Sequence, residues 1–329
     1  IVQEMKNGKG IISFEDLKNY KAIERNPVEF DYKGSHIITM PLPSSGGILL
    51  QQMMKMVENR NIASMGFLST RSVQLMIEVE RRAYADRAQF MGDIDFVKVP
   101  VRTLVSRKYL EERMKDYDPS VAGNSVAITS GVIRESEETT HLSIIDAEGN
   151  AVAVTTTLNG SYGSRTVVNG AGFLLNNEMD DFSIKAGVPN MYGAIGNEKN
   201  AIAPGKRMLS SMTPTIVLKD NKPVIVVGTP GGTTIITNVF QTLVNILEFN
   251  LDPATAVNEP KFHHQWQPDT VFVEHAFPIK TITDLQLMGY TVKEREAIGR
   301  TELIQIRYKP KRQISGIADS RGDDDAAGY

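Results

Sequence analysis

Two strand-length runs, His141–Asp146 and Ala151–Leu158, flank the turn sequence Ala147-Glu148-Gly149-Asn150. Glycine and asparagine in a short connection between two apolar runs predict a β-hairpin. The second run is β-branched and nearly continuous, which predicts a strand inside a covered sheet. The stretch before it has the opposite character. From Ser120 to Glu138 no apolar period survives, Gly123, Asn124, Ser125 and Gly131 interrupt the chain, and it ends on Arg134-Glu135-Ser136-Glu137-Glu138. An exposed loop or tail is expected there.

A flexible polar segment, then Thr139, then a core strand is the order of parts in an N-terminal nucleophile hydrolase. In such an enzyme the chain is cut before the threonine, whose hydroxyl becomes the nucleophile. The freed α-amino group, with a reference pKa of about 7.7 to 8.0, acts as its base. No histidine or aspartate partner is then needed, and the chain holds only five histidines. Strand propensity alone would equally explain a threonine at this position.

Composition narrows the alternatives. A formal net charge of -3, with lysines and arginines scattered, offers no field for nucleic acid. The absence of cysteine excludes disulfides, thiolate metal sites and cysteine nucleophiles, and leaves the redox compartment open. No run of 18 apolar residues occurs, so no membrane span is expected. The opening Ile1-Val2-Gln3-Glu4-Met5-Lys6 reads as neither a signal peptide nor a natural start, and suggests a fragment whose upstream part is missing.

Along the first third, Ser13 is a candidate N-cap before Phe14-Glu15-Asp16-Leu17. Asp31-Tyr32-Lys33-Gly34 reads as a turn, and His36–Met40 as a strand stopped by Pro41. Pro43-Ser44-Ser45-Gly46-Gly47 opens a helix over Ile48–Val57. Its glycines either expose amides to an anion or carbonyl, or permit close backbone packing. A long helix runs from Ser69 or Ser72 to about Met91. Val73, Met76, Ile77, Val79, Ala83 and Phe90 form its core stripe, with Glu78, Arg81, Arg82 and Arg87 opposite. One further helix is expected from Leu104 to about Lys115, ended by Asp116-Tyr117-Asp118-Pro119.

Downstream of Thr139-Thr140-His141 come Asn176-Asn177-Glu178-Met179-Asp180-Asp181-Phe182, then Lys206-Arg207-Met208-Leu209-Ser210-Ser211-Met212-Thr213-Pro214, then Gly228-Thr229-Pro230-Gly231-Gly232. In this order the series closely resembles the γ-glutamyltranspeptidase family. The likeness extends to Pro43–Gly47, Ala83-Tyr84-Ala85-Asp86-Arg87 and the terminal Ala327-Gly328-Tyr329, and so covers essentially the whole chain. The resemblance implies an α+β fold, a four-layer αββα sandwich of the N-terminal nucleophile hydrolase type. It implies a precursor that cuts itself between Glu138 and Thr139. Residues 1–138 would then be the tail of a large subunit, and 139–329 a small subunit paired with it.

The same resemblance assigns roles. Thr139 would take the γ-glutamyl group from glutathione or a similar donor and pass it to water, an amino acid or a peptide. Thr157 would orient the nucleophile's hydroxyl. Asn159, Glu178 and Asp181 would hold the donor's α-ammonium, a group that only donates hydrogen bonds and so needs acceptors. Ser210 and Ser211 would bind its α-carboxylate, helped by an arginine lying upstream of residue 1. The amides at Gly231 and Gly232, ahead of a helix over Thr233–Phe249, would stabilise the oxyanion of a tetrahedral intermediate. A nucleotide P-loop is excluded there, because the Gly-Lys-Ser/Thr ending is missing.

Lys185–Asn200 reads as a long surface loop, and in the family it forms a lid with Tyr192 at the gating position. His263-His264 lacks a third ligand at metal spacing and reads as structural, so neither metal nor cofactor is expected. Asp252-Pro253 opens a helix, Glu302–Ile306 is a strand, and Asp323-Asp324-Asp325 reads as a solvated turn. Two other readings stay open. One is a related acylase acting on a cephalosporin side chain or a poly-γ-glutamate capsule; the other is an uncleaved family member that only binds. A periplasmic or secreted location is expected from the resemblance alone.

Overall fold

The computed structural model describes residues 1–127, 139–188, 190 and 195–328. The chain opens with two short exposed helices, α1 (Val2–Asn7) and α2 (Phe14–Asn19). Ser13 caps α2 as expected: its hydroxyl accepts the Asp16 N–H at 3.2 Å, and the Asp16 carboxylate accepts the Ser13 N–H at 2.7 Å. Strands β1 (Val28–Tyr32) and β2 (Ser35–Thr39) follow. The turn between them is tighter than the predicted Asp31–Gly34. Only Lys33 (φ +44°) and Gly34 (φ +82°) form it. Tyr32 stays in the strand because its ring is buried and its hydroxyl donates to the buried Glu248.

Helix α3 (Gly46–Val57) is buried along most of its length. A Cβ on Gly46 would lie 2.3 Å from Thr213 Oγ1, and one on Gly47 2.2 Å from the Met40 carbonyl. Close packing is therefore sufficient to require both glycines. Helix α4 (Thr70–Phe90), capped by Ser69, matches the predicted long helix. Its polar side is not a solvent face, however. Glu78, Arg81, Arg82 and Arg87 are all at most 6% exposed. Glu78 accepts from Arg81 Nε (3.2 Å), Arg82 Nη1 (2.5 Å), the Tyr290 hydroxyl (2.7 Å) and the Gly123 N–H (3.1 Å). Burial alone would raise its pKa, but Arg81 and Arg82 hold it below the ordinary value. The charges are tolerated inside because each meets partners.

The helix expected over Leu104–Lys115 is shorter, α6 (Arg107–Arg113), and a separate turn of helix, α5 (Val101–Leu104), precedes it. Ser106 adopts an extended conformation between them, and its hydroxyl accepts the Tyr109 N–H, capping α6.

After residue 138 come the hairpin strands β3 (Thr140–Ile145) and β4 (Ala151–Thr156), then β5 (Thr215–Lys219), β6 (Lys222–Gly228) and α7 (Thr234–Leu247). The chain closes with α8 (Pro253–Asn258), β7 (Phe262–His263), β8 (Val271–Glu274), α9 (Ile279–Leu287), β9 (Val292–Arg295), β10 (Glu302–Arg307) and β11 (Gln313–Ile317). Six strands make one antiparallel sheet in the order β1-β2-β5-β6-β10-β11. Residues from both sides of Thr139 thus share a sheet, since β2 pairs with β5. A small sheet, β7-β8-β9, lies beside it, with α9 connecting its parallel pair.

Helices α3 and α7 pack on one face of the six-stranded sheet, with α4 against α3. The β3–β4 hairpin packs on the other face, over β5, β6 and β10. This is a helix, sheet, sheet stacking, with α and β elements mixed as expected. The hairpin's outer face differs from expectation. Leu142, Ile144, Val152 and Val154 are 43–54% exposed, so among the described residues β4 is covered on one face only.

Candidate active site

Hairpin register explains how Thr139 meets Thr157. Thr140 pairs with Thr156 on the last rung, so the next residues out, Thr139 and Thr157, lie opposite one another. Alternation then turns His141, Ser143 and Thr155 inward to the six-stranded sheet and Leu142 and Ile144 outward. Thr139 Oγ1 donates to Thr157 Oγ1 at 3.4 Å, and the same Thr157 oxygen accepts the Asn159 N–H at 2.8 Å. The Thr139 hydroxyl is therefore directed at a second hydroxyl whose own position is held by backbone.

His141 lies between the hairpin and the sheet. Its buried ring bonds Thr155 Oγ1 at 2.8 Å and Ser143 Oγ at 3.1 Å, and burial lowers its pKa to about 4, so it is neutral at pH 7. The ring lies on Gly228, where a Cβ would come 2.2 to 2.6 Å from three ring atoms.

An open cleft runs from the Thr139 hydroxyl, with Thr157, Asn159, Asp181, Ser210, Ser211 and Gly232 among its lining residues. Asn159 occupies the left-handed region at φ +72°, which asparagine tolerates, and its side-chain amide donates to the Asn177 carbonyl at 3.1 Å. Asn177 in turn accepts the Gly160 N–H at 2.8 Å, tying the loop after β4 to the 3₁₀ turn Glu178–Asp181. Burial raises the Asp181 pKa to about 7, with repulsion from Glu178 adding to it and the Arg87 cation opposing it. Burial likewise raises Glu178 to about 7. Glu178 is not part of this cleft's lining; it acts on the site through Asp181.

Two residues that drew no attention in the sequence organise this wall. Asn200 donates to the Asp181 carbonyl at 2.7 Å and accepts the Leu209 N–H at 3.0 Å, so it spans the acidic turn and the serine pair. Asn190 donates to Asp181 Oδ1 at 3.2 Å.

The serine pair is held from the other side by Pro43–Gly47. The Ser210 N–H donates to the Pro43 carbonyl at 2.9 Å, and the Ser45 N–H and hydroxyl both donate to the Ser210 carbonyl at 2.8 Å. Behind it stands Arg87, whose Nε donates to Ser45 Oγ at 2.9 Å and whose Nη2 donates to Ser211 Oγ at 3.2 Å. The sequence placed Arg87 opposite the core stripe of α4, and in the structure that side reaches the cleft. Helical period shows which face is apolar, but not whether the other face meets a polar partner 124 residues later.

Gly231 (φ +134°) and Gly232 (φ +53°) both have positive φ, and a Cβ on Gly231 would lie 2.4 Å from Thr234 Oγ1. Thr234 donates from its N–H (2.9 Å) and hydroxyl (2.7 Å) to the Gly231 carbonyl, closing the turn into α7. Gly232 lines the cleft described above, and Gly231 lines a second one across Thr139. Glu138 and Tyr192 lie outside the described residues.

The buried histidines are bonded internally: His263 to Thr237 (2.8 Å) and Gln265 (3.0 Å), His264 to Asp269 (3.2 Å). No group of three His, Cys, Asp or Glu side chains among the described residues is placed to hold a metal ion. No helix among them is long and apolar enough to cross a membrane.

The sequence model described as Gamma-glutamyltranspeptidase matches residues 1–329. The chain belongs to the γ-glutamyltranspeptidase family. It is 46% identical to the "Glutathione hydrolase proenzyme" of Escherichia coli (strain K12), an alignment covering 100% of this chain and 57% of that protein. The chain thus spans little more than half the length of this curated relative. Among solved structures, the T380A mutant of Helicobacter pylori γ-glutamyltranspeptidase matches with a TM-score of 0.54 at 48% identity, over 56% of this chain and 100% of that one. A cephalosporin acylase from Bacillus halodurans matches with a TM-score of 0.81 over 99% of this chain and 57% of that one, at 22% identity; that likeness concerns the fold.

Proposed function

We propose that this chain carries the catalytic half of a self-cleaving γ-glutamyltransferase and glutathione hydrolase with Thr139 as nucleophile. One observation carries the reading: the Thr139 hydroxyl, 3.4 Å from Thr157, opens into a cleft with a carboxylate on one wall and a serine pair backed by a buried arginine on another. A γ-glutamyl donor has matching ends. Its α-ammonium fits Asp181 and Asn159, with Glu178 behind, and its α-carboxylate fits Ser210, Ser211 and the Arg87 cation. The γ-carbonyl would then lie at Thr139, with the amides of Gly231 and Gly232 facing its developing charge.

In this reading Thr139 Oγ first attacks the carbonyl carbon of Glu138. The C–N bond breaks, the α-nitrogen takes the proton, and water opens the resulting ester. The freed amine then serves as base while the same oxygen takes the γ-glutamyl group from glutathione or a similar compound. Water, an amino acid or a peptide resolves the second ester. Residues 1–138 and 139–329 would be the two paired products, with the β2–β5 pairing across them favouring continued association. Tyr192 as the lid's gating residue and a periplasmic or secreted location rest on the family likeness.

Purified wild type and Thr139→Ala test this directly. Wild type is expected to resolve into two bands and release product from a γ-glutamyl anilide, the variant to remain as one inactive band. Equal cutting of both, or of neither, refutes the assignment. A glutaryl anilide run in parallel separates the acylase reading, because a glutaryl chain has no ammonium for Asp181 to hold.

A further inference from the structure

Gly231 and Gly232 both hold positive φ, a region that glycine enters and leaves freely, so nothing in their own chemistry fixes where their amides point. Stabilising an oxyanion requires those directions to be set before the charge develops. On the upstream side, Thr229 Oγ1 donates to the Pro230 carbonyl at 2.7 Å, and the Thr234 hydroxyl pins the Gly231 carbonyl. On the downstream side, Gly232 depends on Thr233.

Thr233 does not behave as a helix cap. It immediately precedes α7, where a threonine hydroxyl commonly accepts an N–H of the first turn, yet it makes no such bond. Its hydroxyl donates instead to Gln265 Oε1 at 2.5 Å, from a residue 32 positions further along the chain. The Thr233 carbonyl accepts the hydroxyl of Tyr84, from α4. Thr233 is buried and lines the cleft with Gly232 and Thr139, whereas the buried Gln265 stands behind it and is not among the lining residues.

Gln265 is itself held in one orientation. Its side-chain amide donates to the Gln267 carbonyl at 3.3 Å, which turns Oε1 to Thr233. The same oxygen meets His263 Nε2 at 3.0 Å, and because an amide oxygen only accepts, Nε2 carries a proton. The Tyr84 ring packs edge-on against that imidazole, with centroids 5.8 Å apart and planes at 86°. Three separate stretches, α4, the entrance of α7 and the connection from β7 to β8, therefore meet around one threonine.

We infer that Gln265 is a positioning residue for the loop that carries the oxyanion amides. By accepting the Thr233 hydroxyl it draws that side chain off its own helix and fixes the Gly232–Thr233 peptide, so that the glycine amides face the carbonyl reacting at Thr139. The inference rests on the γ-glutamyltransferase reading and deepens it. Gln265 touches no substrate and acts only through Thr233. A contact that matters only as the oxyanion forms lowers kcat and leaves the donor's KM alone.

The test uses the full chain with a γ-glutamyl anilide, each rate being referred to the cleaved fraction seen on a gel. Thr233→Val keeps the side-chain shape and removes the hydroxyl; Gln265→Met keeps the length and removes the acceptor. Each should lower kcat by about tenfold, part of the roughly 100- to 1,000-fold that loss of a whole oxyanion donor costs, with donor KM unchanged. Thr233→Ser, which retains the hydroxyl, should recover most of the rate. The double variant should lose no more than either single one, because both remove the same bond. A boronic acid analogue of the γ-glutamyl group, tetrahedral and anionic once bonded to the Thr139 oxygen, should bind more weakly by the same factor as kcat falls. An unchanged kcat in Gln265→Met, losses that multiply in the double variant, or a loss that falls on KM overturns the positioning role and leaves the functional reading standing. A wild type that releases no product from the donor overturns the functional reading itself, and this inference with it.

Discussion

Gly228→Ala should disable the site from beneath without touching any residue in the cleft. The added methyl would sit 2.2, 2.3 and 2.6 Å from three atoms of the His141 ring, where ordinary contacts lie at 3.4–4 Å. Gly228 has little room to yield, because it ends β6 on the last rung paired with Glu302, in a strand that lies inside the six-stranded sheet. The ring must therefore move away by roughly 1 Å, and His141 is only two residues from Thr139 on the same inward face of β3. Overpacking of this kind costs about 1–3 kcal/mol of stability, and a misplacement near 1 Å at a reacting atom costs about 100-fold in rate. Both self-cleavage and anilide turnover should slow by about that factor, read from band conversion over time and from initial rates, with a lowered Tm. Truncating the obstruction provides the control: Gly228→Ala combined with His141→Ala should recover much of the lost rate. The reasoning fails if Gly228→Ala alone leaves cleavage at the wild-type rate, or if removing the imidazole restores none of it.

The acid pair predicts a pH dependence. In the empty site Asp181 and Glu178 titrate near pH 7, whereas an ammonium needs them ionised, so donor KM should rise as pH falls from 7 to 5, and binding at pH 6 should release protons. Calorimetry in buffers of different ionisation enthalpy measures that release, and proton uptake instead would reverse the assignment. Because these folded-state values lie above the unfolded ones, their contribution to stability is full below about pH 4 and declines as pH rises towards 7. Donor binding should offset that loss. Inside α4, Glu78→Ala leaves Arg81 and Arg82 buried beside an empty acceptor site, which should cost about 3–5 kcal/mol in denaturant unfolding. A loss under 1 kcal/mol would show that the network is not coupled to folding.

Local signals were enough for the hairpin that carries Thr139. Turn chemistry at Ala147–Asn150 and two apolar runs specify the hairpin, and its register follows because a shift by one residue would turn His141 outward and Leu142 inward. Thr139 and Thr157 then meet as a consequence of strand pairing alone. The Ser13 cap and the span of α4 were legible for the same reason, being set within a few residues along the chain. Where reading from the sequence stopped short, the missing partner was distant. Leu104–Lys115 reads as one helical run, yet Ser106 caps a helix that begins only at Arg107.

Family motifs named Asp181, Ser210 and Ser211, but not what holds them. Asn200, Arg87 and Ser45 come from three separate stretches and converge only when β2 pairs with β5 and α4 packs behind the serine loop. Sequence by itself determined the hairpin, the threonine at its free end and the family to which the chain belongs. Tertiary structure alone decided that a charged helix face is interior and that Arg87 backs the cleft beside Thr139. The division has a physical cause: hydrogen-bonded turns and strand registers are specified by neighbours in the chain, whereas burial of a charge depends on partners brought from far along it.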